Sequence, residues 1–280
     1  MGNVNLATNA KNTWCPGCGN FAILNSIKAV LGALIDEGFQ REKIVIVSGI
    51  GCHAKIADYL NVNSFYSLHG RVVPVCEAIK LANPELKVIG FAGDGDTYGE
   101  GLEHLIFAAK RNIDINIIIH NNRVYGLTTG QYTPTSPLGF KGRSTPGGTK
   151  EQPLNPLELM MASHASFVAR GYSHGIELLK KILKEALLHK GFSLVDVLQV
   201  CVTFFNMYDY YNSRVYELKD YDTGNYDKAL KKIKEWDYDS DSRIPLGVFY
   251  KKEKPVFEYA LSNKNINIDA KIKELLNDYT

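Results

Sequence analysis

The sequence lacks a long apolar run and an excess of charge of either sign. No stretch reaches the roughly 18 to 20 apolar residues that a membrane-spanning helix needs, so we expect no membrane partner. The 32 basic and 30 acidic residues give a net charge of +2 and are spread along the chain, which argues against nucleic acid as a partner. Residues 1–14 are polar and show no apolar stretch of a signal peptide, so we expect a cytoplasmic protein.

A paired set of cysteines is also lacking. The chain has five cysteines, Cys15, Cys18, Cys52, Cys76 and Cys201. An odd number in a large chain without an export signal argues against a disulfide framework, so metal or cluster ligation explains them better. Cys76 lies inside a predicted helix and is expected to be a small buried hydrophobe rather than a ligand.

The order of apolar segments predicts the fold class. With 280 residues, of which 45% are hydrophobic, the chain can bury one large core. Amphipathic helices alternate with short apolar strands, which predicts the α/β class with a mainly parallel, doubly wound sheet and helices on both faces. The predicted helices are 21–39, 72–82, 102–111, 154–164 and 175–189, and the predicted strands are 43–48, 87–92, 113–119, 166–169 and 192–198.

Two segments fall outside this alternation. Residues 133–156 are rich in Pro, Gly, Ser and Thr and are predicted to form a long loop or lid of the main domain, which we place at residues 1–205. Residues 206–280 are rich in Tyr, Asp and Lys and are treated as a C-terminal appendage that contacts a partner chain. Candidate helices in this appendage lie near 226–236 and 267–276.

A GDGD motif at residues 93–96 follows the predicted strand 87–92. Open α/β sheets bind ligands at the carboxyl ends of their strands. Glycines there let backbone N–H groups approach phosphate oxygens, and the following helix directs its positive end toward a diphosphate. Asp94, together with Asn122 at the end of the next strand, would supply oxygen ligands for a Mg²⁺ ion shared with the diphosphate.

The spacing of this motif makes it more specific than its composition. Glycine and aspartate are also the ordinary residues of tight turns, so the GDG triplet alone is equally compatible with a structural turn. However, 25 residues separate the triplet from the paired asparagines Asn121 and Asn122, which is room for one helix and one strand. This spacing resembles that of the thiamine diphosphate enzymes, and the resemblance implies a diphosphate and magnesium site.

The cysteines form a second constellation. WCPGCG at residues 14–19 has the CxxC spacing that lets two thiolates bind one metal centre from a turn. A redox dithiol is the alternative, but a thioredoxin-like site expects a preceding strand, and this motif precedes the first helix. Cys52 and Cys201 follow the first and last predicted strands, on the sheet edge that carries Asp94. Four cysteines suit Zn²⁺ and an iron–sulfur cluster equally by ligand type.

Taken together, the motifs resemble the β subunit of the 2-oxoacid:ferredoxin oxidoreductases over residues 12–205. They are WCPGCG (14–19), SGIGC (48–52), LHGR (68–71), GDGD (93–96), NNRVYGLTTGQ (121–131) and the late Cys201. The resemblance implies a thiamine diphosphate-binding fold in which Asp94, Asn122 and the backbone carbonyl of Val124 bind Mg²⁺. It implies one [4Fe–4S] cluster held by Cys15, Cys18, Cys52 and Cys201. The residues that it implies around the cofactor are Ile50, Cys52, His53, His69, Gly93, Asp94, Gly95, Asp96, Asn122, Val124, Tyr125, Gly126, Leu127 and Thr128.

The resemblance also implies a reaction. A 2-oxoacid such as pyruvate or 2-oxoglutarate would undergo oxidative decarboxylation to CO₂ and an acyl group that coenzyme A accepts. Electrons would leave through the cluster to ferredoxin, an exit that zinc would not offer. A catalytic glutamate would come from a partner α subunit, with γ and δ subunits in some complexes, so the chain alone is expected to be inactive. His69 is a candidate for a position near the substrate, and Thr129 stands where some members carry a lysine that pairs with the substrate carboxylate.

Two other hypotheses remain open. A non-oxidative thiamine diphosphate decarboxylase or carboligase would use the four cysteines to bind structural zinc. A non-catalytic assembly subunit would keep the fold while its partner performs the chemistry. No CxxCxxCxxxC run exists in the sequence, so we expect a single cluster and no ferredoxin-like domain.

Overall fold

A mainly parallel β-sheet lies at the centre of the structure, a computed structural model that describes residues 5–262, 272–273 and 276–277. The strands are β1 (Ile44–Ser48), β2 (Asn63–Tyr66), β3 (Lys87–Gly93), β4 (Ile115–Asn121), β5 (Val124–Tyr125), β6 (Gln131–Tyr132), β7 (Phe167–Tyr172), β8 (Ser193–Leu198), β9 (Val215–Glu217) and β10 (Ile244–Lys251). Among the described residues, eight strands form one sheet in the order β2-β1-β3-β4-β8-β7-β10-β9, and β5 pairs with β6 separately. Neighbouring strands of the sheet run parallel except β7 and β10, which confirms the predicted fold class.

Helices cover both faces of this sheet. They are α1 (Asn20–Asp36), α2 (Ile56–Tyr59), α3 (Val72–Ala82), α4 (Leu102–Arg111), α5 (Pro156–Ala162), α6 (Ile176–Leu188), α7 (Tyr208–Asn212), α8 (Tyr226–Ile233) and α9 (Phe257–Ser262). Helices α1 and α6 pack together on one face, and α3, α4, α5 and α8 contribute to the core on the other. No helix in the described part of the chain is both long and apolar enough to cross a membrane.

Strand β4 shows how the sequence specifies a doubly covered sheet. Its residues Ile117 and Ile119 belong to one hydrophobic core, whereas Ile118 belongs to the other. A strand buried on both faces is apolar at successive positions instead of alternating with polar ones. The apolar run ends at His120 and Asn121, where the strand reaches the carboxyl edge of the sheet.

The C-terminal segment continues the main sheet. Strand β10 pairs antiparallel with β7, β9 pairs parallel with β10, and the rings of Trp236 and Tyr238 are fully buried. The segment from residue 206 to residue 262 therefore shares a sheet and a core with the residues before the boundary predicted at 205. Its contact with a partner chain stays a prediction. The candidate helix near 226–236 is α8, whereas most of the candidate helix near 267–276 lies outside the described residues.

The segment predicted to be a long loop or lid contains no strand or helix between β6 and Pro156. Its first part is held against the sheet edge, because the side chains of Thr133, Thr135 and Ser136 are buried. Ser136 donates a hydrogen bond to the carbonyl oxygen of Arg123 over 2.6 Å. A movement of this loop as a lid stays a prediction.

A buried ion pair lies at the amino-terminal end of β4, at the edge of the sheet opposite His120 and Asn121. The Lys80 ammonium group lies 2.8 Å from the Asp114 carboxylate, and both side chains are only 3% exposed. Burial would raise the pKa of Asp114, but Lys87 and Lys80 outweigh it and hold this pKa below its usual value. Because the folded pKa lies below the unfolded one, the pair stabilises the fold at neutral pH, and this stabilisation is lost as the pH falls through the acidic range.

Asp114→Ala is expected to lower the free energy of unfolding by about 3–5 kcal/mol, because it leaves the Lys80 charge buried without its partner. Urea denaturation at neutral pH measures the change. The matched control is Glu85→Ala, which breaks the exposed pair with Lys43 and should cost at most about 1 kcal/mol. Equal effects of the two substitutions would contradict the stabilising role of the buried pair.

Candidate active site

A cleft lies at the carboxyl ends of β1, β3 and β4. Its wall is formed by Ile50, Gly51, Cys52, His53, His69, Gly93, Asp94, Gly95, Asp96, His120, Asn122, Val124, Tyr125, Gly126, Leu127 and Thr128. Every residue that the sequence predicted around the cofactor is in this set. The structure thus brings together residues from separate stretches of the chain, although their contacts with a cofactor stay a prediction.

The paired register of β3 and β4 explains why the two predicted magnesium ligands meet. Gly93 is aligned with His120 across these parallel strands, so Asp94 and Asn121 leave the sheet at the same level. Asn122 follows directly, and its side-chain oxygen accepts a hydrogen bond of 3.1 Å from the Val124 backbone N–H. This turn directs the chain from the strand end into the wall of the cleft.

Asp94 carries a buried carboxylate on the cleft wall. Its side chain is 2% exposed, and burial raises its pKa to about 6, even though hydroxyl groups of Thr133 and Thr135 lower it. Among the described residues, no basic side chain contributes to lowering the pKa of Asp94. A divalent cation in the cleft would supply positive charge, so the donor set of Asp94, Asn122 and the Val124 carbonyl fits Mg²⁺.

Glycines keep the cleft open next to Asp94. A β-carbon on Gly95 would overlap the ring of Tyr125, and a β-carbon on Gly93 would lie 2.9 Å from the His53 ring. The Tyr125 hydroxyl group donates a hydrogen bond of 3.0 Å to the Gly95 carbonyl oxygen. Such a close approach of backbone to ring suits a pocket in which the backbone binds phosphate oxygens.

Asp96 joins three segments of the wall. Its carboxylate accepts hydrogen bonds from the backbone N–H groups of Gly70 and Ile50, over 2.7 Å and 3.2 Å. The same carboxylate lies 3.2 Å from the Nε2 atom of His53. The oxygens of Asp96 are therefore engaged in holding the loops that follow β1 and β2 against the GDGD turn.

His69 stands at the mouth of the cleft. One ring nitrogen lies 3.1 Å from the Ile50 carbonyl oxygen, and the other lies 3.5 Å from the Glu100 carboxylate. Its ring centre is 5.9 Å from that of Tyr125. These contacts orient the imidazole on the cleft wall, and its predicted closeness to a substrate stays a prediction.

The cysteine-bearing segments also meet beside this cleft. The CxxC turn closes by a 3.0 Å hydrogen bond from Cys18 N–H to the Cys15 carbonyl oxygen, with Gly17 in the left-handed region at a φ of +82°. The Trp14 indole N–H donates to the Cys52 carbonyl oxygen over 2.6 Å. Gln199, which lies two residues before Cys201 in the chain, donates a hydrogen bond from its side-chain amide to the Cys18 sulfur over 3.5 Å.

The cysteines beside the cleft influence one another electrostatically. Burial, with smaller contributions from the neighbouring Cys201, Cys52 and Cys15, raises the pKa of Cys18 to about 12. The pKa of Cys52 is raised in the same way, first by burial and then by Cys201 and Cys15. Burial and the neighbouring cysteines thus disfavour the thiolate form, and a positive centre between the sulfurs would favour it, so these side chains fit a metal-containing group.

Gly126 connects the two predicted sites. A β-carbon built on Gly126 would lie 3.6 Å from the Cys52 sulfur and 3.8 Å from the Cys201 sulfur. Gly126 also lies in the wall of the cleft that contains Asp94. The sulfurs therefore contact the same wall that would surround the cofactor.

The positions of the side chains do not by themselves define a metal ion. Among the described residues, no group of three or more His, Cys, Asp or Glu side chains could hold a metal ion as it stands. Both the magnesium ligands and the cluster ligands thus stay predictions. Cys76 is buried, as expected, and lies in the core away from the other sulfurs.

Sequence reasoning missed His120 and Thr135. His120 is 1% exposed, and its Nδ1 atom lies 2.8 Å from the Asn20 side-chain oxygen. Burial and the nearby His53 hold the pKa of His120 well below its usual value, so the ring is neutral. Thr135 donates a hydrogen bond of 2.8 Å to Asp94 from a loop whose sequence carries no motif. The position of His120 beside Asn121 was a usable signal, whereas nothing marked Thr135.

Comparisons with known proteins agree with this geometry. Residues 49–197 match the model of the thiamine pyrophosphate enzyme C-terminal TPP-binding domain. Residues 201–265 match the model of the C-terminal region of the pyruvate ferredoxin oxidoreductase β subunit. The fold and cleft thus define a domain of the thiamine diphosphate-dependent enzymes.

Comparison with individual proteins identifies the family within the thiamine diphosphate-dependent enzymes. The chain is 41% identical over 273 residues to 2-oxoacid:ferredoxin oxidoreductase 1, subunit β, of Aeropyrum pernix, with 92% of this chain and 84% of the relative covered. It is 42% identical over 256 residues to the corresponding β subunit of Saccharolobus solfataricus, covering 86% and 82% of the two chains. The chain belongs to the β subunits of the 2-oxoacid:ferredoxin oxidoreductases, which are oxidoreductases that need partner subunits.

A solved structure supports the same assignment. A chain of 2-oxoglutarate:ferredoxin oxidoreductase from Magnetococcus marinus is similar with a TM-score of 0.88 and 31% sequence identity. The similarity covers 99% of this chain and 91% of that one. That structure was solved with 2-oxoglutarate, coenzyme A and succinyl-CoA bound.

Proposed function

We propose that this chain binds thiamine diphosphate through Mg²⁺ in the cleft and, with an α subunit, catalyses the CoA-dependent oxidative decarboxylation of a 2-oxoacid. The products are acyl-CoA and CO₂, and electrons pass through a [4Fe–4S] cluster on Cys15, Cys18, Cys52 and Cys201 to ferredoxin. The observation that carries the proposal is the position of Gly126, between the cleft and the sulfurs of Cys52 and Cys201. Cofactor and cluster would then be near enough for electrons to move between them.

The residues of this chain would bind and orient the cofactor. Asp94, Asn122 and the Val124 carbonyl would hold Mg²⁺, and the backbone around Gly95 would approach the diphosphate. Asp96 would keep the loop of Ile50 against this site through the hydrogen bonds described above. When bound, thiamine diphosphate supplies the electron sink that decarboxylation of a 2-oxoacid requires.

The substrate is proposed at the level of its class. The similar structure from Magnetococcus marinus contains 2-oxoglutarate, and the relatives carry the general name 2-oxoacid. Pyruvate, 2-oxoglutarate and related acids are therefore candidates. Thr129, where some members carry a lysine, offers a hydroxyl group that accepts a 2.8 Å hydrogen bond from Arg143. A cytoplasmic location is part of the proposal, since ferredoxin would be the electron acceptor.

Anaerobic purification of the complex tests the proposal. The complex should be brown, contain iron and sulfide, and lose visible absorbance when thiamine diphosphate, Mg²⁺ and a 2-oxoacid are added without ferredoxin. Bleaching that also occurs without thiamine diphosphate would refute the proposed electron path. A colourless complex with one zinc ion per β subunit would favour the non-oxidative decarboxylase instead.

The β chain alone is expected to show no turnover, because the glutamate that activates the cofactor is expected from the α subunit. Ferredoxin or methyl viologen reduction with each candidate 2-oxoacid measures this, with the reconstituted complex as the positive control. Turnover by the purified single chain would contradict the prediction.

A further inference from the structure

Asp196 occupies the centre of a buried polar network below the candidate active site. It lies on β8, and its carboxylate is fully buried. It accepts hydrogen bonds from the Tyr98 hydroxyl over 2.9 Å, the Asn121 amide over 3.0 Å and the Tyr238 hydroxyl over 2.6 Å. Three donors from three separate segments of the chain thus converge on one carboxylate.

Two of these donors belong to the segments that carry the proposed magnesium ligands. Tyr98 lies in the turn Gly95–Glu100, which begins directly after Asp94. Asn121 is the residue before Asn122. Asp196 therefore links the segment of one ligand to the segment of the other from beneath the cleft.

A second link runs above Asp196. The Thr135 hydroxyl donates a hydrogen bond of 2.8 Å to the Asp94 carboxylate, and the Asn121 side-chain oxygen, 3.0 Å away, is the alternative acceptor of its single proton. Asp94, Thr135, Asn121 and Asp196 thus form one continuous chain of polar contacts, and all four side chains are at most 2% exposed. Contacts of this kind orient metal ligands, and their loss lowers metal affinity by about 10–100-fold.

The third donor brings in the C-terminal segment. Tyr238 is fully buried, and the fully buried guanidinium group of Arg170 lies 5.2 Å from the centre of its ring. Arg170 also lies 5.0 Å from the centre of the Trp236 ring. A well-packed apolar residue often stabilises a fold as well as a buried charge does, so stability alone does not account for a carboxylate at this position.

We infer that Asp196 is a positioning residue that fixes the spacing between Asp94 and Asn122, and that Tyr98 and Tyr238 hold its carboxylate in place. This inference rests on the proposed function, because it concerns the binding of Mg²⁺ and thiamine diphosphate. Through Tyr238, the C-terminal segment would also help to position the magnesium ligands. Tyr238 lies outside residues 49–197, which match the model of the TPP-binding domain.

The test measures thiamine diphosphate binding to the α–β complex by calorimetry at a series of Mg²⁺ concentrations. Tyr98→Phe removes one hydroxyl group and should raise the Mg²⁺ concentration at half-saturation by about 10-fold, with binding restored at high Mg²⁺. Tyr238→Phe should act in the same direction. Asp196→Asn should raise this Mg²⁺ concentration further. However, it also leaves Arg170 buried without a counter-charge, and the variant protein can fail to fold. In that case the two tyrosine variants test the inference.

Tyr172→Phe is the matched control. Tyr172 is 3% exposed on the neighbouring strand β7, and its hydroxyl donates to Asn212 over 2.8 Å, away from Asp196. Its variant should bind with the wild-type Mg²⁺ dependence, whatever its melting temperature. If the Tyr98, Tyr238 and Tyr172 variants all showed the same Mg²⁺ dependence, the inference about Asp196 would be wrong, while the proposed function would be unaffected. A wild-type complex that binds no thiamine diphosphate at any Mg²⁺ concentration would overturn the proposed function and this inference with it.

Discussion

Asp94→Ala is expected to abolish thiamine diphosphate binding and to lower the activity of the reconstituted complex by more than about 100-fold. The residue is the one acidic side chain in the proposed magnesium set, and its carboxylate is buried without a basic partner among the described residues. Even changes beyond the direct ligands cost about 10–100-fold in metal affinity, so removal of a charged ligand should cost more. Calorimetry with thiamine diphosphate and Mg²⁺, followed by ferredoxin reduction, measures both effects.

Glu103→Gln is the matched control for this prediction. Glu103 is a carboxylate on α4, a few residues after the same turn, but its side chain is 74% exposed. Its variant should bind the cofactor and turn over as the wild type does. Full activity of the Asp94→Ala complex would mean that the partner α subunit performs the chemistry, as in the hypothesis of a non-catalytic assembly subunit.

The parts of the fold that the sequence predicted are those with a strong period or a continuous apolar run. Helices α3 and α4 have the predicted bounds, and β3 and β4 contain the apolar runs 88–92 and 117–119. Burial on both faces of a parallel sheet leaves this signal in a single sequence. The GDGD motif was informative for the same reason, since its distance from the paired asparagines corresponds to one helix and one strand.

Strand β10 carried no such signal. Pro245 and Gly247 interrupt its apolar run, and Gly247 adopts a φ of +139°, which side chains rarely tolerate. The pairing with β7 also shifts in register between Val248 and Tyr250. Such a strand forms because β7 offers it unpaired backbone hydrogen-bonding groups, and its own sequence has no regular alternation of apolar residues. Nothing in the sequence therefore predicted a strand within the C-terminal appendage.

The residues of the site divide in the same way. The motif spacing and the family resemblance were enough to expect Asp94 and Asn122 in one cleft wall, where the structure has them, and their binding of Mg²⁺ stays a prediction. Thr135 and Asp196 could not be predicted, because their importance comes from contacts between segments that are 41 and 75 residues apart in the chain. Only the folded structure shows that a threonine in a loop and an aspartate in a central strand contact the same asparagine.

Cys201→Ser is expected to remove the iron–sulfur cluster from the complex. Iron content should fall from about four atoms per β subunit to less than one, and the visible absorbance should disappear, because hydroxyl oxygen is a poor substitute for a thiolate ligand. Reduction of ferredoxin should then fall to background, while thiamine diphosphate binding through Asp94 persists. Iron analysis, the visible spectrum and calorimetry on one preparation separate these effects.

Cys76→Ala provides the matched control, since it removes the one cysteine that lies in the core away from the other four sulfurs. Loss of one buried sulfur should cost about 1 kcal/mol in the free energy of unfolding and leave iron content unchanged. If Cys201→Ser kept its iron and colour while Cys76→Ala lost them, the proposed ligand set would be wrong. If both variants kept their iron and their ferredoxin reduction, Cys201 would not be a required ligand of the cluster, and the proposed set of four cysteines would be wrong.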